Sequence, residues 1–73
     1  MKASVTISSS TLKIERIDIF SQGSRVDTVK GFALEELLEI HENNLLELIE
    51  RMTHEHQLGA VDMNQDVRVL FSN

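Results

Sequence analysis

The chain has 73 residues with a net charge of −5, from twelve Asp and Glu against seven Lys and Arg, and it contains three Phe, no Trp, no Tyr and no Cys. The absence of Cys excludes a disulfide framework and a thiolate metal site. The negative charge and the few aromatic residues argue against nucleic-acid binding, which requires clustered cations or exposed aromatic rings. At this length we expect one small domain over residues 1–73, or the N-terminal domain of a longer protein, with a core small enough for self-association to add to its stability.

The N-terminal segment does not resemble a targeting signal. Met1 is followed by the polar sequence KASVTISSS, which has neither the apolar run of a secretory signal nor the length of a membrane span. We therefore expect a cytoplasmic protein.

A first strand is predicted near the N-terminus. Val5 and Ile7 alternate with polar residues, which is the period of a half-buried strand.

A second strand is predicted from Leu12 onward. Leu12 and Ile14 share one side, but the apolar residues change phase at Ile17. A pure alternation would not shift in this way, so the pattern predicts either a bulge near Glu15 and Arg16 or a strand that is partly covered on both faces.

A hairpin turn is predicted at residues 21–24, with the sequence SQGS. Gly23 enters positive φ freely, and residues 25–29 supply the returning strand. Phe32 then stands where the period changes from that of a strand to that of a helix, and we expect it to pack between sheet and helix.

Two apolar rows with helical spacing follow the hairpin. Their members recur at i, i+3, i+4 and i+7, and they are Leu34, Leu37, Leu38 and His41 in the first row and Leu45, Leu48, Ile49 and Met52 in the second. An Asn pair separates the rows, and Asn44 followed by Glu47 is typical of a helix start. We therefore predict two helices, over residues 33–42 and 45–57, with Gly59 capping the second.

The last segment leaves two alternatives open. Residues 60–65 are typical of a turn, and Val67, Val69 and Phe71 then alternate with other residues. This alternation predicts either a final strand that completes the sheet or the start of further structure. The fold class predicted is α+β: an N-terminal β-hairpin or small antiparallel sheet, two short amphipathic helices and, under the first alternative, a C-terminal strand.

The histidines near the end of the second helix do not predict a metal site. Glu50 and His54 are neighbours on one helix surface, but His56 points away from His54. A polar helix end, where imidazoles meet the negative end of the helix dipole, explains them better.

A partial calcium-loop pattern also fails. Asp62, Asn64 and Asp66 match the first ligand positions of an EF-hand, but Val67 stands at the required Gly and Asn73 at the bidentate Glu. We interpret these residues as a polar turn.

No residues in the sequence suggest catalysis. Glu35 and Glu36 are adjacent and diverge on a helix, and His41 lies on an apolar row where a packed, hydrogen-bonded histidine is the common case. We therefore expect no enzyme activity, no cofactor and no bound metal.

The helices instead predict a surface for another protein. Ile40 and Leu46 fall off the main rows and would be partly exposed, although single exposed apolar residues are also common on surfaces. The expected partner-binding residues are the apolar Ile40, Leu46, Ile49 and Met52 and the acidic Glu35, Glu39 and Glu42.

Residues 12–55 resemble the tail assembly chaperones of tailed bacteriophages. The junction is similar in Val29, Lys30, Gly31 and Phe32, and it leads into an acidic, Leu-rich helix. His41 and Glu42 correspond to a short break in that family, and a second Leu-rich helix follows. The sequence departs from the family's pattern at Ala33, where the family has a capping Ser.

The resemblance implies a partner and a location. Members of that family bind the tape measure protein, a long helical tail component, and cover its apolar surface until the tail polymerises. It implies action in the host bacterial cytoplasm, with a helical client as the protein partner and a homo-oligomer as a further option.

A different class of function is the alternative. Residues 31–55 hold seven acids and one base, a net charge of −6. Such a segment could mimic nucleic acid and inhibit a basic host enzyme, as small acidic phage or mobile-element proteins would.

Overall fold

The structure is a computed structural model and describes residues 1–73. It consists of a four-stranded mixed sheet with helices on one side. The strand order is β3-β2-β1-β4. In chain order the elements are β1 (Ala3–Ser8), β2 (Ile14–Ser21), β3 (Ser24–Lys30), α1 (Gly31–Ile40), α2 (Leu45–Glu55), α3 (Met63–Asp66) and β4 (Val67–Ser72). The predicted α+β class, including the N-terminal strand and the C-terminal strand, is confirmed.

A β-bulge explains the phase change in the second strand. Thr6 of β1 lies opposite Arg16, whereas Ile7 lies opposite Ile14, so Glu15 is the extra residue. The bulge returns the apolar residues on both sides of it to the core face. Of the two alternatives, the bulge is therefore the one that occurs.

The second strand begins later than predicted. β2 starts at Ile14, and Leu12 lies in the connection from β1 with a φ of 59°. A branched residue in this left-handed conformation cannot extend a strand, so Leu12 is excluded from the sheet and exposed.

The predicted hairpin turn is confirmed and is tight. Gln22 and Gly23 alone connect β2 to β3, with φ values of 51° and 80°. Positive φ at both central residues is the turn that fits the right-handed twist of the flanking strands.

The C-terminal strand β4 pairs with β1 and runs parallel to it. The ladder extends without a register shift from the Ala3–Val67 pair to the Ser8–Ser72 pair. The two helices provide the crossover that a parallel connection requires. The N-terminal strands β1, β2 and β3 form the predicted antiparallel sheet, and the parallel β4, whose direction the sequence did not indicate, makes the whole sheet mixed.

Two separate helices follow the hairpin, as predicted, and not one continuous helix. After α1, Glu42 and Asn43 have φ values of 54° and 59°, and the N–H of Asn43 donates to the carbonyl oxygen of Leu38 at 2.6 Å. The Asn44 side chain then accepts from the N–H of Glu47 at 3.1 Å and caps α2, as predicted.

The end of α2 differs from the prediction. The helix ends at Glu55, and the left-handed residue after it is Gln57, with φ 58°. The N–H of Leu58 donates to the carbonyl oxygen of Thr53 at 3.0 Å, which completes a Schellman motif. Gly59 lies beyond this motif and does not cap the helix.

The core lies between the sheet and the two helices. Successive residues of each strand point alternately to the helix-side face and to a polar face of the sheet. Val5 and Ile17 therefore point inward, while Ser4 and Asp18 point to the other side. The buried apolar residues are Ala3, Val5, Ile17, Ile19, Leu34, Leu48, Ile49 and Met52. Members of both predicted leucine rows thus cover the protein's own sheet.

Candidate functional site

The outer side of α1 combines two exposed apolar residues with a run of acids. Phe32 is 79% exposed and Ile40 is 62% exposed. They lie eight positions apart, which separates them by about 12 Å along the axis and by a rotation of about 80° around it, and both are on the half of α1 that faces away from the core. Glu35, Glu36 and Glu39 lie between them and are exposed. We call Phe32, Ile40 and these three acids the α1 outer surface.

The position of Phe32 differs from the prediction. The sequence predicted that it packs between sheet and helix, but its side chain is exposed. Leu34 points inward and is buried, and two positions along a helix correspond to a rotation of about 200°. Phe32 therefore points away from the core when Leu34 points into it. The helical spacing of Phe32 relative to Leu34 was the signal that could have placed it on the surface.

The predicted partner-binding residues divide into two groups. Ile40 and Leu46 lie on the surface together with the acids Glu35, Glu39 and Glu42. These five residues are available to a partner of the folded subunit.

Ile49 and Met52 require a correction. Ile49 is fully buried and Met52 nearly so, and both belong to the core. They continue the row of α2 that contains Leu48, and this row packs on the sheet. Neither side chain can contact a partner while the subunit remains folded.

A groove lies beside α1. Leu12, Ile14 and Leu38 give it an apolar lining, and Lys13, Glu35 and Asn43 complete its edges. Leu12 is exposed, so the groove extends the apolar area next to the α1 outer surface.

His41 connects the two helices through a short polar chain. The Nδ1 atom lies 3.3 Å from Oε1 of Glu47, and Nε2 lies 3.1 Å from Nη1 of Arg51. Because a guanidinium can only donate, Nε2 accepts, so the proton of the neutral ring is on Nδ1 and is donated to Glu47. Arg51 also pairs with Glu55 at 3.6 Å. His41 is thus the packed, hydrogen-bonded histidine that the sequence predicted, and it holds the end of α1 against α2.

Of the other two histidines, His56 contacts a carboxylate of the sheet and His54 is exposed. Nε2 of His56 lies 3.1 Å from Oδ2 of Asp27, which joins the end of α2 to β3. His54 is exposed in the last turn of α2. No three His, Asp or Glu side chains come together in an arrangement that could hold a metal ion.

The residues with a partial calcium-loop pattern form a capped turn. The Asp62 side chain accepts from the N–H of Asn64 at 2.9 Å, and the N–H of Asp62 donates to Oδ2 of Asp66 at 2.8 Å. The carboxylates thus bond to local backbone donors of α3.

A polar network occupies the face of the sheet opposite the helices. Asp18 accepts from Nε and Nη2 of Arg16 at 2.8 and 3.1 Å, and from the hydroxyl of Thr28 at 2.6 Å. Burial raises the pKa of Asp18, but the hydrogen bonds from Arg16 and Thr28 and the charges of Arg16 and Arg25 outweigh burial, so the pKa lies below its ordinary value. The ionised carboxylate is therefore the stable form in the fold.

The charges of the protein are separated by side. The seven acids of residues 31–55 are all on or between the helices and are exposed. Register places Lys30 opposite Arg16, Arg25 opposite Phe20 and Arg68 opposite Ser4, so these four cations lie on the opposite face of the sheet. Lys13 instead borders the groove beside α1, and Arg51 lies on α2. An acidic helical side and a more basic sheet side result.

Comparison of the chain with protein-family models, with curated proteins and with solved structures found no match. Among the helices, none combines the length and the apolar character needed to cross a membrane.

Proposed function

We propose that this protein is a non-enzymatic binding module that acts as a phage tail assembly chaperone, with the helical tape measure protein as its client. The observation that carries the proposal is the α1 outer surface, where Phe32 and Ile40 are exposed among acids. The resemblance of residues 12–55 to tail assembly chaperones supplies the identity of the client.

The chemistry of this surface suits an amphipathic helix. Two apolar anchors two helical turns apart match the i, i+7 or i, i+8 spacing of a helical client. The acids between them would pair with Lys or Arg beside the client's apolar stripe, and this pairing favours correct encounter more than it adds affinity. Shielding the stripe would keep the client from aggregating.

Co-expression with the tape measure protein of the same phage tests this proposal. The wild-type protein should keep the client in the soluble fraction and co-purify with it. Phe32→Ser combined with Ile40→Ser should abolish both effects, because it removes the two anchors from the surface without touching the core.

A matched control separates loss of the anchors from a general loss of surface hydrophobicity. Val26 on β3 is also exposed, and Val26→Ser should retain the client. A client that stays soluble without the protein, or that co-purifies equally with the Phe32/Ile40 double variant, would count against the proposal.

The exposed acids favour one alternative, a nucleic-acid mimic that inhibits a basic host enzyme. All seven acids of residues 31–55 are available to solvent. This function predicts that reversing Glu35, Glu39 and Glu42 to Lys abolishes binding to the basic enzyme at low salt, whereas the Phe32/Ile40 double variant still binds. Binding that survives the charge reversal would exclude the mimic.

A further inference from the structure

The two edges of the sheet differ in how they are protected. On β3, Val26 is an unpaired bulge residue between Arg25 and Asp27, and the Asp27 carboxylate accepts the backbone N–H of Thr28 at 2.8 Å. A bulge and charged residues are common protections against strand addition. The β3 edge is therefore blocked.

The β4 edge has no bulge and only one charged residue, Arg68. Its ladder with β1 is regular over all six residues, and its sequence, VRVLFS, contains one charge and no Pro. Val69, Leu70 and Phe71 are consecutive and are 51%, 43% and 65% exposed. An exposed, regular, apolar edge strand is a template for pairing with another strand.

The backbone direction of β4 identifies its free hydrogen-bonding groups. The carbonyl oxygens of Asp66 and Ser72 accept bonds from Lys2 and Ser9, so they point toward β1. Backbone groups alternate along a strand, and the N–H and C=O groups of Val67, Val69 and Phe71 consequently point away from the subunit.

We propose that the β4 edge binds a second copy of this chain, with the two β4 strands antiparallel about a two-fold axis perpendicular to the sheet and centred on Val69. Such an axis keeps the helices of both copies on the same side of one continuous eight-stranded sheet. It pairs Val69 with its own copy and Val67 with Phe71 of the other copy, and it engages all the outward backbone groups.

The side chains of β4 are complementary to themselves in this register. Val69 and Phe71 share the helix side of the sheet with Val5 and Ile7, but they remain exposed. Across the axis, Phe71 would pack against Val67 and the two Val69 side chains against each other, which are favourable cross-strand pairs. Arg68, the only charge of β4, would lie opposite Leu70, so no like charges meet. A second copy therefore satisfies the apolar, electrostatic and backbone requirements of this edge together.

Solution mass measures the dimer directly. The subunit mass is 8.3 kDa, and light scattering of the wild-type protein should approach twice this mass as the concentration rises from about 10 μM to about 1 mM, the range expected for a small interface. A mass that stays at the subunit value over this range would overturn the proposal.

Opposite charges at the axis test the register. Val69→Lys and Val69→Glu should each give the subunit mass, since each places two like charges against one another, whereas an equimolar mixture of V69K and V69E should recover the dimer. Val26→Lys, the matched control on the β3 edge, should dimerise as the wild type does. Wild-type-like dimerisation of V69K alone would refute the Val69-centred pairing.

Amide hydrogen exchange provides a readout that does not depend on mass and also tests whether V69K is folded. In the wild-type dimer, Val67, Val69 and Phe71 should be protected, and in V69K the N–H groups of residues 67 and 71 should exchange rapidly. Arg68 and Leu70, which bond to β1, should stay protected in both proteins. Rapid exchange at residues 67 and 71 in the wild type at about 1 mM would contradict the proposal.

Discussion

Asp18 shows how a single carboxylate is stabilised on the open face of the sheet. Its side chain is buried and has lost most of its hydration. The hydrogen bonds from Arg16 and Thr28 and the positive charge of Arg16 compensate for this loss. Its pKa in the fold lies below its ordinary value. The stabilisation is therefore complete above the unfolded pKa of about 3.9 and is lost as the pH falls through the folded pKa.

Asp18→Asn should lower the free energy of unfolding at pH 7 by about 1.5–3 kcal/mol, the range for hydrogen bonds to a charged group. The difference between the wild type and this variant should shrink as the pH falls through the folded pKa, because the wild-type carboxyl then also becomes neutral. Urea unfolding at a series of pH values measures this difference. Glu36→Gln, at an exposed residue, is the control and should leave the unfolding free energy nearly unchanged at every pH. A constant difference for Asp18→Asn across the series would contradict the account.

Gln57, two residues after the end of α2, adopts a backbone conformation that favours glycine. Its φ is 58°, and a glycine in its place would relieve the contact between Cβ and the backbone, although the more flexible unfolded chain offsets part of the gain. We expect Gln57→Gly to raise the free energy of unfolding by up to about 1 kcal/mol. Glu50→Gly, inside the same helix, should lower it by about 1 kcal/mol. Thermal unfolding of both variants decides whether the cap position differs from the helix interior.

At the scale of elements, local sequence predicted what local chemistry determines. The Asn44 cap, the two-residue turn at Gly23 and the bulge at Glu15 each follow from residues close together in the chain. The parallel pairing of β4 with β1 did not follow, because it joins residues from the two ends of the chain and no local pattern encodes strand direction. The end of α2 was misplaced for a different reason, since Gln57 adopts the conformation that Gly59 was expected to supply.

The Asn44 cap is the element-scale interaction that is simplest to test. Asn44→Ala should cost about 1 kcal/mol of stability, because the N–H of Glu47 loses its acceptor. Asn44→Asp keeps an acceptor and adds a negative charge at the start of the helix, so it should be at least as stable as the wild type. Chemical denaturation of the pair provides the measurement, and equal destabilisation by both substitutions would show that the cap is not the cause.

At the scale of the whole molecule, the candidate surface was predicted only in part. The phase of the helical rows placed Ile40 and Leu46 outside, and they are exposed. The same rows could not show whether Ile49 and Met52 face this protein's own sheet or another chain, because an apolar stripe has the same sequence in both cases. The tertiary structure decides this, and both residues lie in the core.

Two isoleucines from the predicted surface should therefore behave very differently. Ile49→Ala opens a cavity in a core of eight apolar residues, and we expect it to cost about 2–5 kcal/mol, a large share of the stability of a domain this small. Ile40→Ala, at an exposed residue, should change stability by less than about 0.5 kcal/mol. Equilibrium unfolding monitored by circular dichroism compares the two variants, and similar costs would contradict the assignment of Ile49 to the core.

The parallel pairing of β1 and β4 gives the protein a defined mechanical direction. The start of β1 lies beside Asp66 and its end lies beside Ser72. Tension applied through handles fused before Ala3 and after Ser72 would pull these neighbouring strands in opposite directions along their axes. The ladder bonds between them would then carry the load together, in shear, and would not open one after another as in a peeled hairpin.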